Sequence, residues 1–241
     1  MADPSEDQPV AVVTGSSRGL GRALAEHFLG QGYRVAGCSR GDGSIDHADY
    51  HHARVDIGDE AAVTGWAKEV RRGLKRVDVV VANAGLARAA LLLSMTPGDV
   101  FDDFMRVNFA GVFYTLREFS KVMMRTGGGR VIAISSTMVP LSQDGTGIYS
   151  ATKAGITSMT KVLAREIAPQ GITCNVIAPA MMRTDASAEL AKDGDWEERM
   201  LALQTFPRAI DFDEVCHAAD FFVSEKARSI TGQVVYIGVV D

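Results

Sequence analysis

The sequence predicts a single α/β domain, a doubly wound, seven-stranded parallel sheet with helices on both faces. Three observations predict it. Strand-like and helix-like runs alternate along all 241 residues, and several of the strand runs are apolar throughout. An apolar run near the N-terminus also leads directly into a glycine-rich turn and an amphipathic helix. A strand that is apolar at every position has no face for water, as in a parallel sheet covered on both sides. Right-handed crossovers then bring all strand C-terminal ends to one edge, where ligands bind.

The elements follow in order. Residues 1–9, MADPSEDQP, are acidic and polar and predict a frayed lead-in, unlike a signal peptide. Strands are predicted at 10–13, 34–38, 52–55, 77–82, 130–134, 173–177 and 234–237. Helical patterns occupy 19–31, 59–73, 97–125, 148–168 and 211–224. Two stretches break the rhythm. SRGDGSIDHADY, after the second strand, is a short Gly-rich connection. Residues 180–207 form a longer insertion, with Trp196, Met200, Leu201 and Leu203 as candidate anchors, and its place beside the ligand edge predicts a substrate lid.

Composition narrows the function. Hydrophobic residues are 46% and charged residues 23% of the chain, the balance of a globular domain. A formal net charge of −5 argues against a nucleic-acid surface. No apolar run reaches the roughly 18 residues that span a bilayer, so neither nucleic acid nor membrane is expected as a partner and cytoplasmic residence is expected. Cys38, Cys174 and Cys216 show neither a disulfide framework nor metal spacing, and read as buried small hydrophobes. His47, His51 and His52 cluster without a convergent cysteine; they read as a loop and strand edge, and no metal is expected.

The chemistry concentrates at three residues. Tyr149 and Lys153 are four apart on a predicted helix, which puts phenol and ammonium on one face. A free phenol titrates near 10, and a nearby cation is expected to lower that value and bring proton exchange within reach. Ser136 lies thirteen residues upstream at a strand end, placed to hydrogen-bond a substrate oxygen. Together they form an apparatus for interconverting a ketone and a secondary alcohol. The glycine turn supplies the second half. Gly15, Gly19 and Gly21 allow a tight turn and close backbone approach, and a following helix N-terminus offers amides to a pyrophosphate.

With these residues in place, nearly the whole chain resembles the short-chain dehydrogenase/reductase family, a Rossmann fold. The matching motifs are TGSSRGLG (Thr14 to Gly21), Asp56, ANAG (Ala82 to Gly85), Asn108 in VNFAGVF, Ser136, Tyr149 with Lys153, and NVIAPAMMRTD. Within the family the chain is similar to 3-oxoacyl-(acyl-carrier-protein) reductases and polyketide ketoreductases. The resemblance implies that Tyr149 donates a proton to the carbonyl oxygen and that Lys153 holds the nicotinamide ribose and depresses the phenol. It implies that Ser136 polarises the carbonyl and that Asn108 helps hold a water linking Lys153 to solvent. It assigns Gly15, Ser17, Arg18, Gly19, Leu20 and Gly21 to the dinucleotide turn, with Asp56 and Ile57 flanking the adenine. Asn83, Ala84 and Gly85 fall to its ribose, and Pro179, Met182 and Thr184 to the nicotinamide end. A homodimer or homotetramer is implied as well.

Cofactor choice has a physical basis. Where NAD-binding versions of the fold carry an acidic residue after the second strand, this chain has Ser39 and Arg40, with Arg18 placed to converge. Two guanidiniums suit a 2′-phosphate and predict NADP(H); Asp42 falls two residues too late. The expected activity is therefore NADPH-dependent reduction of a 3-oxoacyl thioester or polyketide-type ketone, carrier-protein- or CoA-linked. Met138, Val139, Leu141, Met181 and Met182 are expected near its apolar pocket. Two alternatives stay open: an NADP-dependent alcohol dehydrogenase acting on a steroid, sugar or small metabolite, and a noncatalytic binding partner that keeps the fold. The chain departs from the family pattern at Pro179-Ala180, where Pro-Gly is usual, at Gln170, and in its ending VVYIGVVD.

Overall fold

The computed structural model describes residues 8–87, 91–190 and 194–240. Most of the expected frayed lead-in lies outside the described residues. All seven predicted strands form: β1 (Val10–Thr14), β2 (Arg34–Ser39), β3 (Tyr50–Arg54), β4 (Val79–Ala82), β5 (Gly129–Ile134), β6 (Ile172–Pro179) and β7 (Val234–Ile237). They make one sheet in the order β3-β2-β1-β4-β5-β6-β7, parallel at every pairing. The chain leaves β1 toward β2 and β3, then returns to the other side of β1 with β4. That reversal opens a crevice beyond the ends of β1 and β4.

The apolar strands are explained by the layers. Successive side chains on a strand point to opposite faces. Val10 and Val12 therefore join one core while Ala11 and Val13 join the other, and Val80 and Val79 divide in the same way. The first core lies under α2 (Glu60–Leu74), α4 (Gly111–Thr126) and α6 (Gly147–Ile167), where Trp66 meets Phe119 edge-on at 4.8 Å. Such a contact adds about 1 kcal/mol beyond the area it buries. The second core lies under α1 (Gly19–Gly30) and α9 (Phe212–Val223), around Leu24, Phe28 and Phe222. Cys38, Cys174 and Cys216 are all buried within these layers, and burial pushes each thiol up to about 12.

Helix ends are set by local chemistry. Asp59 caps α2 by accepting from the Ala61 and Ala62 amides at 2.8 and 3.1 Å. Asp211 and Glu214 form a capping box at α9. The predicted long helix at 97–125 is interrupted. It forms as α3 (Gly98–Phe104), a π-helical turn at Met105–Ala110, and α4. Gly111 follows the turn because α4 passes so close to Ile57 that a Cβ there would lie 2.8 Å from its side chain. Short helices α5 (Met138–Leu141), α7 (Asp185–Leu190) and α8 (Trp196–Ala202) complete the chain; the last two belong to the predicted lid. Among the described residues, no helix is long and apolar enough to cross a membrane.

Candidate active site

A cleft of about 660 Å³ runs along the C-terminal edge of the sheet, from the glycine turn to the lid helices. At one end the turn is clamped by backbone. Gly15 takes a left-handed φ of +73°, and the Gly15 and Ser16 amides donate to the Cys38 carbonyl at 2.9 and 3.1 Å. Asn83 Nδ2 donates to the Thr14 carbonyl at 2.9 Å, while Thr14 Oγ1 accepts from the Asn83 and Ala84 amides, each at 3.0 Å. Gly21 packs so closely that a Cβ there would strike the Gly15 carbonyl and Asn83 Nδ2. The first turn of α1 has no side-chain cap, which leaves its amides facing the cleft wall formed by Gly19, Leu20 and Gly21.

At the centre, α6 brings Tyr149 and Lys153 to the cleft. Lys153 Nζ lies 5.7 Å from the Tyr149 ring centre and donates to the Ile134 carbonyl at 2.8 Å. Ser136, at the end of β5, hydrogen-bonds the Tyr149 side chain, and its Oγ accepts from the Met138 amide at 3.2 Å. Ser135 points the other way, donating to the Lys153 carbonyl at 3.2 Å and accepting from Thr157 at 3.0 Å. One residue of shift along the strand end separates a serine on the cleft from one that ties β5 to α6.

Electrostatics correct one expectation. The phenol of Tyr149 is raised, not depressed: burial pushes it up, and the Ser136 hydrogen bond only partly opposes this. Lys153 shifts instead, with burial lowering it to about 8. Asn108 does not reach the cleft wall. It is fully buried in the π-helical turn, where its Oδ1 accepts from the Leu86 amide at 2.6 Å and its Nδ2 donates to the Leu86 carbonyl at 3.0 Å. Gly85 lies between it and the lysine; a Cβ on Gly85 would be 3.3 Å from Asn108 Oδ1 and 3.7 Å from Lys153 Nζ. The amide thus fixes the loop after β4 beside the Tyr149/Lys153 pair.

Ser17, Ser39, Arg40, Asp56 and Ile57 line the far end of the cleft. The Asp56 carboxyl accepts from the Gly58 amide and the Arg106 guanidinium, both at 2.9 Å. Burial opposes its ionisation, but those two partners outweigh it and hold the carboxyl below the usual range. Arg18 lines the cleft as Arg40 does. It pairs across the cleft mouth with Asp185, 3.6 Å away and equally exposed. Asp42 is turned outward and paired with Arg54.

The substrate end is walled by Leu91, Val100 and Phe104 on one side and by Met138, Met181, Trp196 and Met200 on the other. Val139 and Leu141 do not line it, and Leu141 packs into the α1/α9 core. Of the lid anchors, Trp196 and Met200 face the cleft, whereas Leu203 is exposed. No sequence motif marks the 91–104 wall. None marks Gln204 either: its Oε1 accepts from the Met181 amide at 2.8 Å, and its Nε2 donates to the Phe206 carbonyl at 2.9 Å, tying the lid back to β6.

Comparison with known proteins agrees with this geometry. The family profile described as Enoyl-(Acyl carrier protein) reductase matches residues 15–239. The chain is 33% identical over 234 residues to the 3-oxoacyl-[acyl-carrier-protein] reductase FabG of Salmonella typhimurium and to that of Escherichia coli, covering 95% of each chain in both cases. It belongs to the short-chain dehydrogenase/reductase family. Among solved structures, it is similar to a single-site variant of actinorhodin polyketide ketoreductase with NADPH (TM-score 0.89, 26% identity, 99% and 98% of the two chains covered). It is also similar to a Brucella melitensis 3-ketoacyl-(acyl-carrier-protein) reductase complexed with NADH (TM-score 0.87, 25% identity, 96% and 97% covered).

For a member of this nicotinamide-dependent family, the residues present fit a dinucleotide. The turn is compact enough that Cβ atoms at Gly15 and Gly21 would strike Ala84, Asn83 and the Gly15 carbonyl, and the helix that follows it has no side-chain cap on its first amides. The family's usual Pro-Gly is accommodated here as Pro179-Ala180. The alanine amide donates to the Ile237 carbonyl at 2.9 Å, and its methyl is buried against Gly238, whose own Cβ would lie only 3.0 Å away. The altered C-terminus thus has a glycine at φ +90° where the alanine needs room. The Gly238 carbonyl then accepts the Thr205 amide at 2.9 Å and secures the return of the lid.

Proposed function

We propose that this protein is an NADPH-dependent ketoreductase acting on a 3-oxoacyl thioester or polyketide-type ketone. One observation carries the reading: a protonated phenol, hydrogen-bonded to a serine, with an ammonium one helical turn away at the end of a dinucleotide cradle. When bound, the nicotinamide supplies a hydride. Ser136 Oγ donates to the substrate carbonyl oxygen and orients it. Tyr149 donates its phenolic proton to that same oxygen as negative charge develops there. Burial keeps the phenol protonated at neutral pH, the form that can give its proton to a carbonyl oxygen. Lys153 stabilises the tyrosinate left behind, and Asn108 holds the Leu86 loop beside it.

The Gly15 to Gly21 turn would hold the pyrophosphate, Asp56 and Ile57 the adenine, Asn83 to Gly85 the ribose, and Pro179, Met182 and Thr184 the nicotinamide end. Arg40, exposed on the cleft and near enough to Asp56 to help hold its carboxyl down, supports the 2′-phosphate reading. The FabG relatives and the ketoreductase with NADPH support the substrate class, and the apolar wall from Leu91 to Phe104 suits an acyl or aryl chain. The segment from Ala180 to Pro207 acts as the lid. Exposed Phe113 on α4 and Val162 on α6 fit a face shared between subunits of a homodimer or homotetramer.

The test is a panel of 3-oxoacyl thioesters, aryl ketones and secondary alcohols, followed by NADPH consumption or NADP⁺ reduction. Reduction of the thioesters is expected, with a loss of at least about 100-fold in Tyr149→Phe. Turnover that survives that substitution removes Tyr149 as proton donor. Turnover confined to alcohols points to the dehydrogenase alternative.

A further inference from the structure

Three side chains link the two backbone turns at the adenosine end of the cleft. Ser16, in the glycine turn, places its Oγ 2.8 Å from the Tyr50 hydroxyl, which lies 3.0 Å from His52 Nδ1. On the other side of the ring, His52 Nε2 lies 2.9 Å from the Gly41 carbonyl and 3.2 Å from Ser39 Oγ. These contacts settle the tautomer of the neutral ring. A carbonyl only accepts, so Nε2 carries the proton and donates to Gly41, which leaves Nδ1 to accept from Tyr50. Burial raises the Tyr50 phenol and keeps that proton in place, although the Ser16 hydrogen bond pulls the other way.

Packing leaves the chain little slack. A Cβ on Gly37 would strike both Ser16 Oγ and the Tyr50 hydroxyl, and one on Gly43 would come within 2.9 Å of the His52 ring. Ser39 Oγ also donates to the Gly41 carbonyl at 3.0 Å, so that carbonyl is held twice. Arg40 lies between the two anchored residues. Its backbone is fixed on both sides while its guanidinium stays exposed on the cleft. Without these anchors the Gly41-Asp42-Gly43 run would keep only the exposed Asp42–Arg54 pair and the Ser44 Oγ bond to the Ser17 carbonyl, both beyond Gly41, so the stretch that carries Arg40 would loosen.

We propose that His52 is a positioning residue for cofactor choice: by pinning Ser39 and Gly41 it holds Arg40 where the 2′-phosphate of NADP(H) arrives. The proposal rests on the NADP(H) reading above. A pre-organised turn spares the ordering cost that a loose one incurs on binding. A 2′-phosphate draws charge-assisted bonds from this turn and a 2′-hydroxyl does not, so loosening the turn weakens NADPH more than NADH.

Calorimetric titration of NADPH and NADH tests this on the wild type, His52→Ala, His52→Gln, Tyr50→Phe and Arg40→Ala, with thermal melts to confirm folding. His52→Ala should weaken NADPH about tenfold and NADH less than twofold. His52→Gln, which keeps a donor for the Gly41 carbonyl, should recover most of that loss, and Tyr50→Phe should cost about threefold. In steady state the loss should fall on KM for NADPH rather than on kcat. Equal weakening of both cofactors, or no weakening, overturns the proposal. If the wild type shows no preference and Arg40→Ala costs nothing, the NADP(H) reading fails and takes the proposal with it. If Arg40→Ala abolishes a preference that His52→Ala and Tyr50→Phe retain, only the role of His52 fails.

Discussion

At the cofactor end of the cleft the walls are mostly backbone: left-handed glycines, amides and carbonyls held by Thr14 and Asn83. At the substrate end they are side chains carried by the 91–104 segment and the lid, with Leu91 on one side and Trp196 on the other. A backbone cradle admits no added methyl, whereas a side-chain wall can be redrawn one residue at a time. The difference separates what such a fold must keep from what it can vary. At the seam sit Tyr149 and Lys153, both presented to the cleft by a single helix.

The largest break in this contrast is expected from Gly21→Ala. Its methyl would meet the Gly15 carbonyl and Asn83 Nδ2, two rigidly held groups. We expect destabilisation of about 1–3 kcal/mol and an NADPH affinity reduced at least about tenfold, read by thermal melting and calorimetry. Unchanged binding would mean that the turn is not the cradle.

Lys153→Met sharpens the seam. Activity should fall by about 100-fold, yet the protein without cofactor should melt no lower than wild type at pH 7, because a buried ammonium is removed. The sign follows from the depressed value. Between about 8 and the unfolded value of 10.5, the unfolded chain binds the proton that the folded chain has lost. Wild-type stability from this group therefore rises with pH across that window, and the gap to the variant closes in its favour. Reduction by the wild type should decline above about pH 8 as the ammonium discharges. Melting curves from pH 7 to 10 that keep a constant offset would refute the assignment.

The smallest effect belongs to the substrate wall. Trp196→Ala should raise KM for a long-chain substrate several-fold with little change in kcat or in NADPH affinity. A comparable loss with a short-chain substrate would show that the lid orders the whole site and not only its apolar wall.

Much of this architecture is legible in the sequence. The seven strands and the glycine turn are written in apolar runs and fixed spacing, and the Tyr149/Lys153 step places both groups on one face of α6. The same reasoning separates Ser136 from Ser135, and the structure turns Ser135 onto α6. Other contacts are decided by long-range neighbours. Arg18 finds Asp185 across the cleft mouth, and Asn108 spends its side-chain amide on Leu86. The phenol of Tyr149 responds more to burial than to its lysine.

The sequence by itself determined the order of strands and helices, the glycine turn after the first strand, and the spacing that sets Tyr149 and Lys153 on one helix face. These depend on periodicity and local backbone freedom, which are properties of neighbouring residues. Tertiary structure alone decided which walls close the cleft, which charges pair across it, and how far each buried group titrates from its ordinary value. Those depend on distance and solvent exclusion between segments far apart in the chain, and no local pattern encodes them.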